Sequence, residues 1–390
     1  MLPPASDMLY KFYSLAEDKI LHFTGGVGVD AKVVGSSHGW LALFDEKSNH
    51  VFLSNPISGQ QVKLPAVNSL PDPDVNLIAG RGQVSRAVLS SSPLEEECRA
   101  LMSFGPKDRL AFCAPRAAAA AEWTPIGDLN HIGKCDFLLY ERISDRELEE
   151  QNYEDFVYSS RRSLFFCITE LHTVLEGWDL RDALSPRIQW KITHNKEELW
   201  FSYPLYNNWP GRMTKKEWSH INKCFHPKYL ICSNDDLFVV VRHVVPRLRP
   251  DGSAAERIYF FGYGYHWDTR YPYKTVEFDV FKVDQESGKL THMDGSLEGL
   301  AIFVGTNHSF AVSTSECPEL KPDSIYFTDE DRRITPEWAA ARTNFGGHDN
   351  GVYDYRDKTI SPCCTFYPVE YDKIRRIVPP PIWFTPTDYY

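Results

Sequence analysis

The chain has 390 residues, 43% hydrophobic and 14% aromatic, with a formal net charge of −11. That balance excludes a global basic field drawing nucleic acid or anionic lipid, and no apolar run approaches the ~18 residues of a membrane-spanning helix. The length admits two or three average domains or one large all-β domain, and the aromatic share favours pleated, half-buried strands.

The N-terminus, MLPPASDMLYKFYS, lacks a charged segment followed by an apolar one, so no secretory signal is read there. Strands are then predicted at 40–44, 51–53, 84–89, 100–104, 110–114, 156–158, 164–168, 229–232, 237–242, 258–262, 276–283, 301–304, 310–313 and 324–328. Each run is bounded by Gly, Pro, Asn, Asp or Ser, the pattern of a sandwich, barrel or propeller. Turns are predicted at Asn234-Asp235-Asp236, at Gly59 and at Gly288, the glycines supplying positive φ. Helix signals are few. The segments 116–123, 145–156, 212–225 and 335–351 read as short helical or loop insertions between strands.

Two units recur along the chain. One is an apolar run, a polar turn and a short strand, as in FYSLAEDKILHF, VFLSNPISGQQVKLP, FDVFKVDQESGKLTHM and GVYDYRDKTISPCC. The other is a paired hairpin, as in YLICSNDDLFVVVRH and AIFVGTNHSFAVSTS. Their alternation every ~40–60 residues is what four-stranded propeller blades produce.

These blocks carry a resemblance. GSSHGWLALFDEKSNHVFLSNPISGQQVKLP (35–65), VSRAVLSSSP (84–93), LEGWDL (175–180), VEFDVFKVDQESGKL (276–290), AIFVGTNHSFAVSTSECPELKPDSIYFTDED (301–331), NGVYDYRDKTI and PPPIWFTP (379–386) follow in the order of a plant family. The chain resembles the KIB-type β-propeller domain associated with F-box proteins, a domain of unknown function. The resemblance implies an all-β fold with a single propeller over residues 9–386, flanked by tails at 1–8 and 387–390. Six blades are expected, within a range of five to seven, with the segment around FYSLAEDKILHF pairing with strands from the chain's end to close the ring. It also implies a protein-binding role, as in substrate receptors of cullin ubiquitin ligases. MLPPASDML is too short for a helical F-box, so binding of a Skp-type adaptor is not expected. A regulator that binds a target without recruiting a ligase is the corresponding alternative.

Chemical motifs are weighed against this frame. Gly35-Ser36-Ser37-His38-Gly39 fits the G-x-S-x-G nucleophile elbow, but strand, turn and strand follow where a helix is required, so Ser37 reads as a blade residue. Gly35 and Gly39 read as points of close backbone approach. Cys224-x-His226 with Cys232, and Cys363-Cys364, lack paired zinc spacing. Gly25-Gly26-Val27-Gly28 lacks the Lys-Ser/Thr of a phosphate loop. Asp329, Glu330 and Asp331, and Glu147, Glu149 and Glu150, read as solvated acidic turns rather than a glycosidase pair. No catalytic residue, metal or cofactor is therefore assigned. A propeller-scaffold hydrolase such as a glycosidase or lactonase is the enzymatic alternative. Arg242, His243, Arg247 and Arg249 read as an exposed basic hairpin loop.

Nine cysteines at irregular spacing, most in apolar runs, read as buried thiols of a reducing compartment. The expectation is an intracellular monomer of cytoplasm or nucleus that binds a protein partner. The best candidate for that contact is the loop GYGYHWDTRYPY (262–273), with Tyr263, His266, Trp267, Arg270 and Tyr271, since aromatics and Arg dominate interface hot spots. LYNNWPGRMTKKEW (205–218) is a second candidate.

Overall fold

A computed structural model of the chain describes residues 2–5, 9–15, 17, 19–24, 31–67, 70, 84–105, 108–116, 122–127, 153–169, 174–193, 224–245, 247–250, 253, 255, 257–260, 264–267, 271–330, 345–363, 374, 376–377 and 380–385. Strands β1 (Leu2–Ala5), β2 (Leu9–Ser14) and β3 (Lys19–Thr24) form the first sheet. The second holds β4 (Lys32–Ser37), β5 (Trp40–Asp45), β6 (His50–Ser54) and β7 (Gln61–Ala66). The third holds β8 (Val84–Leu89), β9 (Ala100–Phe104), β10 (Arg109–Cys113) and β11 (Thr124–Ile126). In the fourth lie β12 (Tyr153–Ser159), β13 (Leu164–Thr169), β14 (Val174–Asp179) and β15 (Arg187–Thr193).

The fifth sheet pairs β16 (Lys228–Ser233), β17 (Asp236–Val245), β20 (Lys274–Val283) and β21 (Leu290–His292). Between β17 and β20 the chain forms a separate ribbon, β18 (Arg257–Phe260) with β19 (Gly264–Trp267). The sixth sheet has the order β23-β22-β24-β25-β26 and contains β22 (Leu300–Val304), β23 (Phe310–Ser313), β24 (Ser324–Phe327), β25 (Gly351–Asp354) and β26 (Thr359–Ser361). Pairing is antiparallel except for β22 with β24. Six main sheets among the described residues agree with the blade number read from the sequence. No α-helix occurs among them; the helical stretches expected around 116–123, 145–156, 212–225 and 335–351 lie largely outside them.

The chain groups into two compact units. One comprises Asp30–Asn55, Gln60–Lys196 and Thr385–Tyr390. Its core is built from two clusters. Trp40, Phe44, Val51, Leu53, Ala87, Leu89 and Met102 join the second and third sheets, and Leu101, Phe112, Phe156, Phe165 and Trp178 join the third and fourth. Gly35 on β4 shows why a glycine is needed: a Cβ there would lie far inside contact distance of the Ala87 carbonyl on β8. Gly39 serves a different purpose. Ser37 pairs with Trp40 across a two-residue turn in which His38 and Gly39 have φ of 51° and 75°, and two consecutive positive values define a type I′ hairpin. Close approach therefore accounts for Gly35, and turn geometry for Gly39. Ser37 sits in strand–turn–strand context, and its buried Oγ accepts from Leu89 N at 3.0 Å.

The second unit comprises Met1–Val29, Pro56–Gly59 and Glu197–Phe384. Tyr229, Phe238, Val240, Phe278, Ile302, Phe327 and Tyr353 form its main core between the fifth and sixth sheets. The ring of Phe303 stacks with Phe310 at 4.7 Å and Tyr326 at 4.8 Å, and Trp383 meets it edge-on at 5.0 Å. The first sheet departs from expectation. Among the described residues, β2 and β3 pair with each other and β2 with β1, not with strands from the end. The N-terminal strand and the chain's end meet through side chains instead, Phe12 and Phe384 lying 4.8 Å apart.

Candidate functional site

The binding segment expected at 262–273 falls on the long excursion between β17 and β20. Backbone bonds tie its base: Leu248 N donates to Pro272 O at 2.7 Å, Ala255 N to Arg247 O at 2.9 Å and Arg249 N to Ser253 O at 2.8 Å. Beyond that base, β18 and β19 pair antiparallel, with Arg257 opposite Trp267, Ile258 opposite His266 and Tyr259 opposite Tyr265. His266 and Trp267 thus belong to a strand, where a loop was expected. Tyr271 is half-buried at the return towards β20. Tyr263 and Arg270 lie outside the described residues, as does the second candidate segment, 205–218.

A buried polar network anchors the return. Tyr273 donates to Asp329 Oδ1 at 2.6 Å, and Asp349 N donates to Asp329 Oδ2 at 2.8 Å. Arg247 lies over the Tyr273 ring at 5.9 Å. His348 packs on the same ring at 4.6 Å. Its Nδ1 accepts from Gly346 N at 3.0 Å, which leaves the proton on Nε2 for the Tyr273 carbonyl at 3.0 Å. Burial pushes the Asp329 carboxyl up to about 6, with His348 opposing the rise and Asp349 adding to it.

Arg242 completes this network from β17. Its Nε donates to Thr275 Oγ1 at 2.7 Å, Nη1 to Thr328 O at 2.7 Å and Nη2 to Asp349 Oδ2 at 2.9 Å, with the guanidinium 4.9 Å from the Phe327 ring. Asp349 Oδ2 also accepts from Thr275 Oγ1 at 2.6 Å, and Tyr229 bonds Glu330. Two expectations are corrected here. Arg242, His243 and Arg247 are 0%, 1% and 3% exposed, so they are not an exposed basic loop. Asp329 and Glu330 are 0% and 2% exposed, so they are not solvated turns. The reason is internal pairing: Arg242 is met by Asp349 and His243 by Asp279, while Asp329 and Glu330 accept from the hydroxyls of Tyr273 and Tyr229, as buried polar groups require. Asp331, Glu147, Glu149 and Glu150 lie outside the described residues.

His243 belongs to a second chain of polar contacts across the fifth sheet. His226 Nδ1 lies 2.9 Å from His243 Nδ1, His243 Nε2 lies 2.8 Å from Asp279, and His292 Nε2 lies 2.9 Å from the other Asp279 oxygen. Burial acts to raise the Asp279 carboxyl, but the bonds from His243 and His292 outweigh it and hold it well below the usual range. Burial lowers His226 to about 3, with His243 adding to the shift. Cys224 is pushed up to about 12 by burial, Glu277 adding to it.

The first unit has its own buried carboxylate. Glu176 accepts from Tyr153 at 2.8 Å, Trp178 Nε1 at 3.0 Å and Lys191 at 2.9 Å. All these acids are filled by internal donors, which suits them to fixing strands in place. Among the described residues no three His, Cys, Asp or Glu side chains are arranged to hold a metal ion. Cys98, Cys113, Cys167 and Cys317 are buried free thiols, and burial raises each. No helix among the described residues is long and apolar enough to cross a membrane.

These networks escaped the sequence reading because their members come from distant segments: Arg242 and Asp349 are 107 positions apart. The only local signal was a charged residue inside an apolar strand run, as in VVVRH.

The chain was compared with known proteins. Solved structures similar to it include apo AztD from Citrobacter koseri, at 13% identity and a TM-score of 0.32 over 70% of this chain and 50% of AztD. Another is the Cps50 (Swd1) β-propeller domain from Myceliophteria thermophila, at 10% identity and a TM-score of 0.32 over 72% of this chain and 77% of the domain. A third is the S511A mutant of puromycin hydrolase complexed with PGG, at 9% identity and a TM-score of 0.27 over 85% of this chain and 46% of the hydrolase. The chain thus spans half the length of AztD. Likeness at these scores carries no argument about fold or function. No curated protein matches the chain. The family described as KIB1-4 beta-propeller, by contrast, matches residues 12–354. That span takes in strands of all six main sheets, and the chain belongs to the KIB1-4 β-propeller family.

Proposed function

We propose that this propeller is a non-enzymatic protein-binding module that works like the substrate-recognition part of F-box proteins. The observation that carries the reading is the β18–β19 ribbon, an aromatic-rich hairpin inserted between the middle strands of a blade on an anchored base. A blade needs only a short turn between those strands; a ribbon adds nothing to the ladder of β17 and β20 but supplies Tyr, Trp and Arg, the residue types of hot spots. The buried acids, each engaged by internal donors, support a structural role for them over a hydrolytic one. The free thiols fit a reducing compartment, cytoplasm or nucleus.

Replacing His266 and Trp267 with alanine should weaken a bound partner at least tenfold, the loss of a typical hot spot, without changing the melting temperature. Unchanged affinity would remove the ribbon from the binding surface. Ligase membership is a separate question, answered by mixing the purified chain with a Skp-type adaptor. Stable adaptor binding by this chain would support the receptor role and rule out the regulator reading.

A further inference from the structure

We propose that residues 380–384 are a displaceable strap: they fill a peptide slot on the sixth sheet, and a partner protein binds there by presenting a proline-led tryptophan segment of its own. The slot is made by residues other than those of the β18–β19 ribbon, and the inference stands without it.

Trp383 is held as a receptor holds a peptide. The side chain of Asn307 forks onto its main chain: Nδ2 donates to Trp383 O at 2.8 Å, and Trp383 N donates to Oδ1 at 3.2 Å. One amide side chain thus engages both backbone polar groups of a single residue, donating with its nitrogen and accepting with its oxygen. The indole Nε1 donates to Val304 O at 2.9 Å. The indole ring stands edge-on to Phe303 at 5.0 Å and to Tyr326 at 6.3 Å, with interplanar angles of 79° and 85°, a favoured arrangement of aromatic pairs. The next residue, Phe384, meets Phe12 at 4.8 Å.

The slot is organised by contacts of its own. Phe303 stacks with Phe310 and Tyr326 at interplanar angles of 8° and 15°. β22 pairs with β23 and β24, and Val304 O also accepts from Thr328 N at 3.0 Å. Asn307 is 2% exposed, and Thr306 beside it donates from Oγ1 to Asp329 O at 2.7 Å, which fixes the turn that aims the fork. Residues 380–384 form no strand on this sheet. A preorganised slot and an irregular occupant are the parts of a receptor and its ligand.

The occupant is built for reversible docking. Pro379, Pro380 and Pro381 precede Ile382, Trp383 and Phe384, and prolines extend a segment before it binds, which lowers the entropy lost on binding. Upstream the strap is tethered: Ile377 N donates to Gly346 O at 2.8 Å, and a Cβ at Gly347 would lie far inside contact distance of the Ile377 carbonyl. A short tether gives the strap an effective concentration on the order of millimolar. A partner segment displaces it by matching the tryptophan and its main-chain groups and by adding contacts of its own.

The test adds a fluorescein-labelled peptide, Pro-Pro-Pro-Ile-Trp-Phe, to the full chain and to W383A, whose strap lacks the ring and the indole bond. The proposal predicts saturable binding to W383A by anisotropy, about tenfold or more tighter than to the native chain, in which the strap competes. Amide exchange in W383A should stay slow in β24, and peptide should slow it further at residues 301–307. A peptide with alanine for tryptophan should not bind, and N307A/W383A should bind about tenfold more weakly than W383A. Absence of saturable binding to W383A, equal affinity for W383A and the native chain, or protection away from β22 and β24 would overturn the proposal. So would loss of the sixth sheet in W383A, since a displaceable strap is not required for the fold. A native dimer that the peptide dissolves would also overturn it, by assigning the slot to the strap of a second copy.

Discussion

Gly35 and Gly39 lie in one hexapeptide and answer to different physics. A methyl at Gly35 has to displace the backbone of β8, so Gly35→Ala should destabilise the protein by about 3 kcal/mol. A side chain at Gly39 incurs the cost of a positive φ, about 1–2 kcal/mol. Urea unfolding of both variants checks the ranking, and equal losses would contradict it. Arg242→Met strands Asp349 without its cation and should cost about 3–5 kcal/mol. R242M/D349N, which removes the orphaned charge, should recover part of that loss. Titration gives a further prediction. Burial lowers His38 to about 4 and His226 to about 3. Below an unfolded value near 6.5, the unfolded chain takes up protons that these two histidines refuse, so each costs about 2 kcal/mol by pH 5. Asp329, held near 6, acts oppositely and regains stability as pH falls from about 6 towards 4. With two groups against one, unfolding free energy should fall between pH 7 and pH 5, and His226→Gln should flatten the fall. A steeper fall in that variant would contradict the assignment.

At the scale of elements, legibility followed burial pattern. Largely apolar runs such as VSRAVL and ALMSF coincide with β8 and β9 residue for residue, because strands buried on both faces read as mostly hydrophobic stretches, here interrupted by Ser85, Arg86 and Ser103. Turns at Asn234 and Gly288 were legible because positive φ restricts composition. β15 was missed although RIQWKIT alternates polar and apolar residues, because it holds no continuous apolar run of the kind that marked the other strands. β19 was missed because GYHW, set among Gly and Tyr, reads as a loop until its pairing with β18 is seen. The candidate site was half legible for the same reason. Aromatic composition marked the ribbon segment, whereas the acids and cations fixing its base came from strands far apart in sequence. Cutting the anchor should therefore loosen the excursion: Tyr273→Phe, which loses the bond to Asp329, should speed amide exchange at residues 247–255 and leave β16 unchanged. Uniform change across the fifth sheet would contradict that.

At the scale of the whole molecule, repetition carried most of the information. No single block is diagnostic, but the recurring turn-and-strand units anticipated six sheets, and the family match takes in strands of all six. A repeated scaffold positions insertions without specifying what they hold, and so the ribbon between β17 and β20 distinguishes this account from a bare propeller. The most direct measurement is affinity enrichment on the purified chain, read by quantitative mass spectrometry. It compares the native sequence with a variant in which Tyr263, His266, Trp267, Arg270 and Tyr271 are alanine. The account predicts a defined protein enriched by the native chain and lost from the variant at unchanged melting temperature. Equal enrichment by both, or none by either, would contradict it.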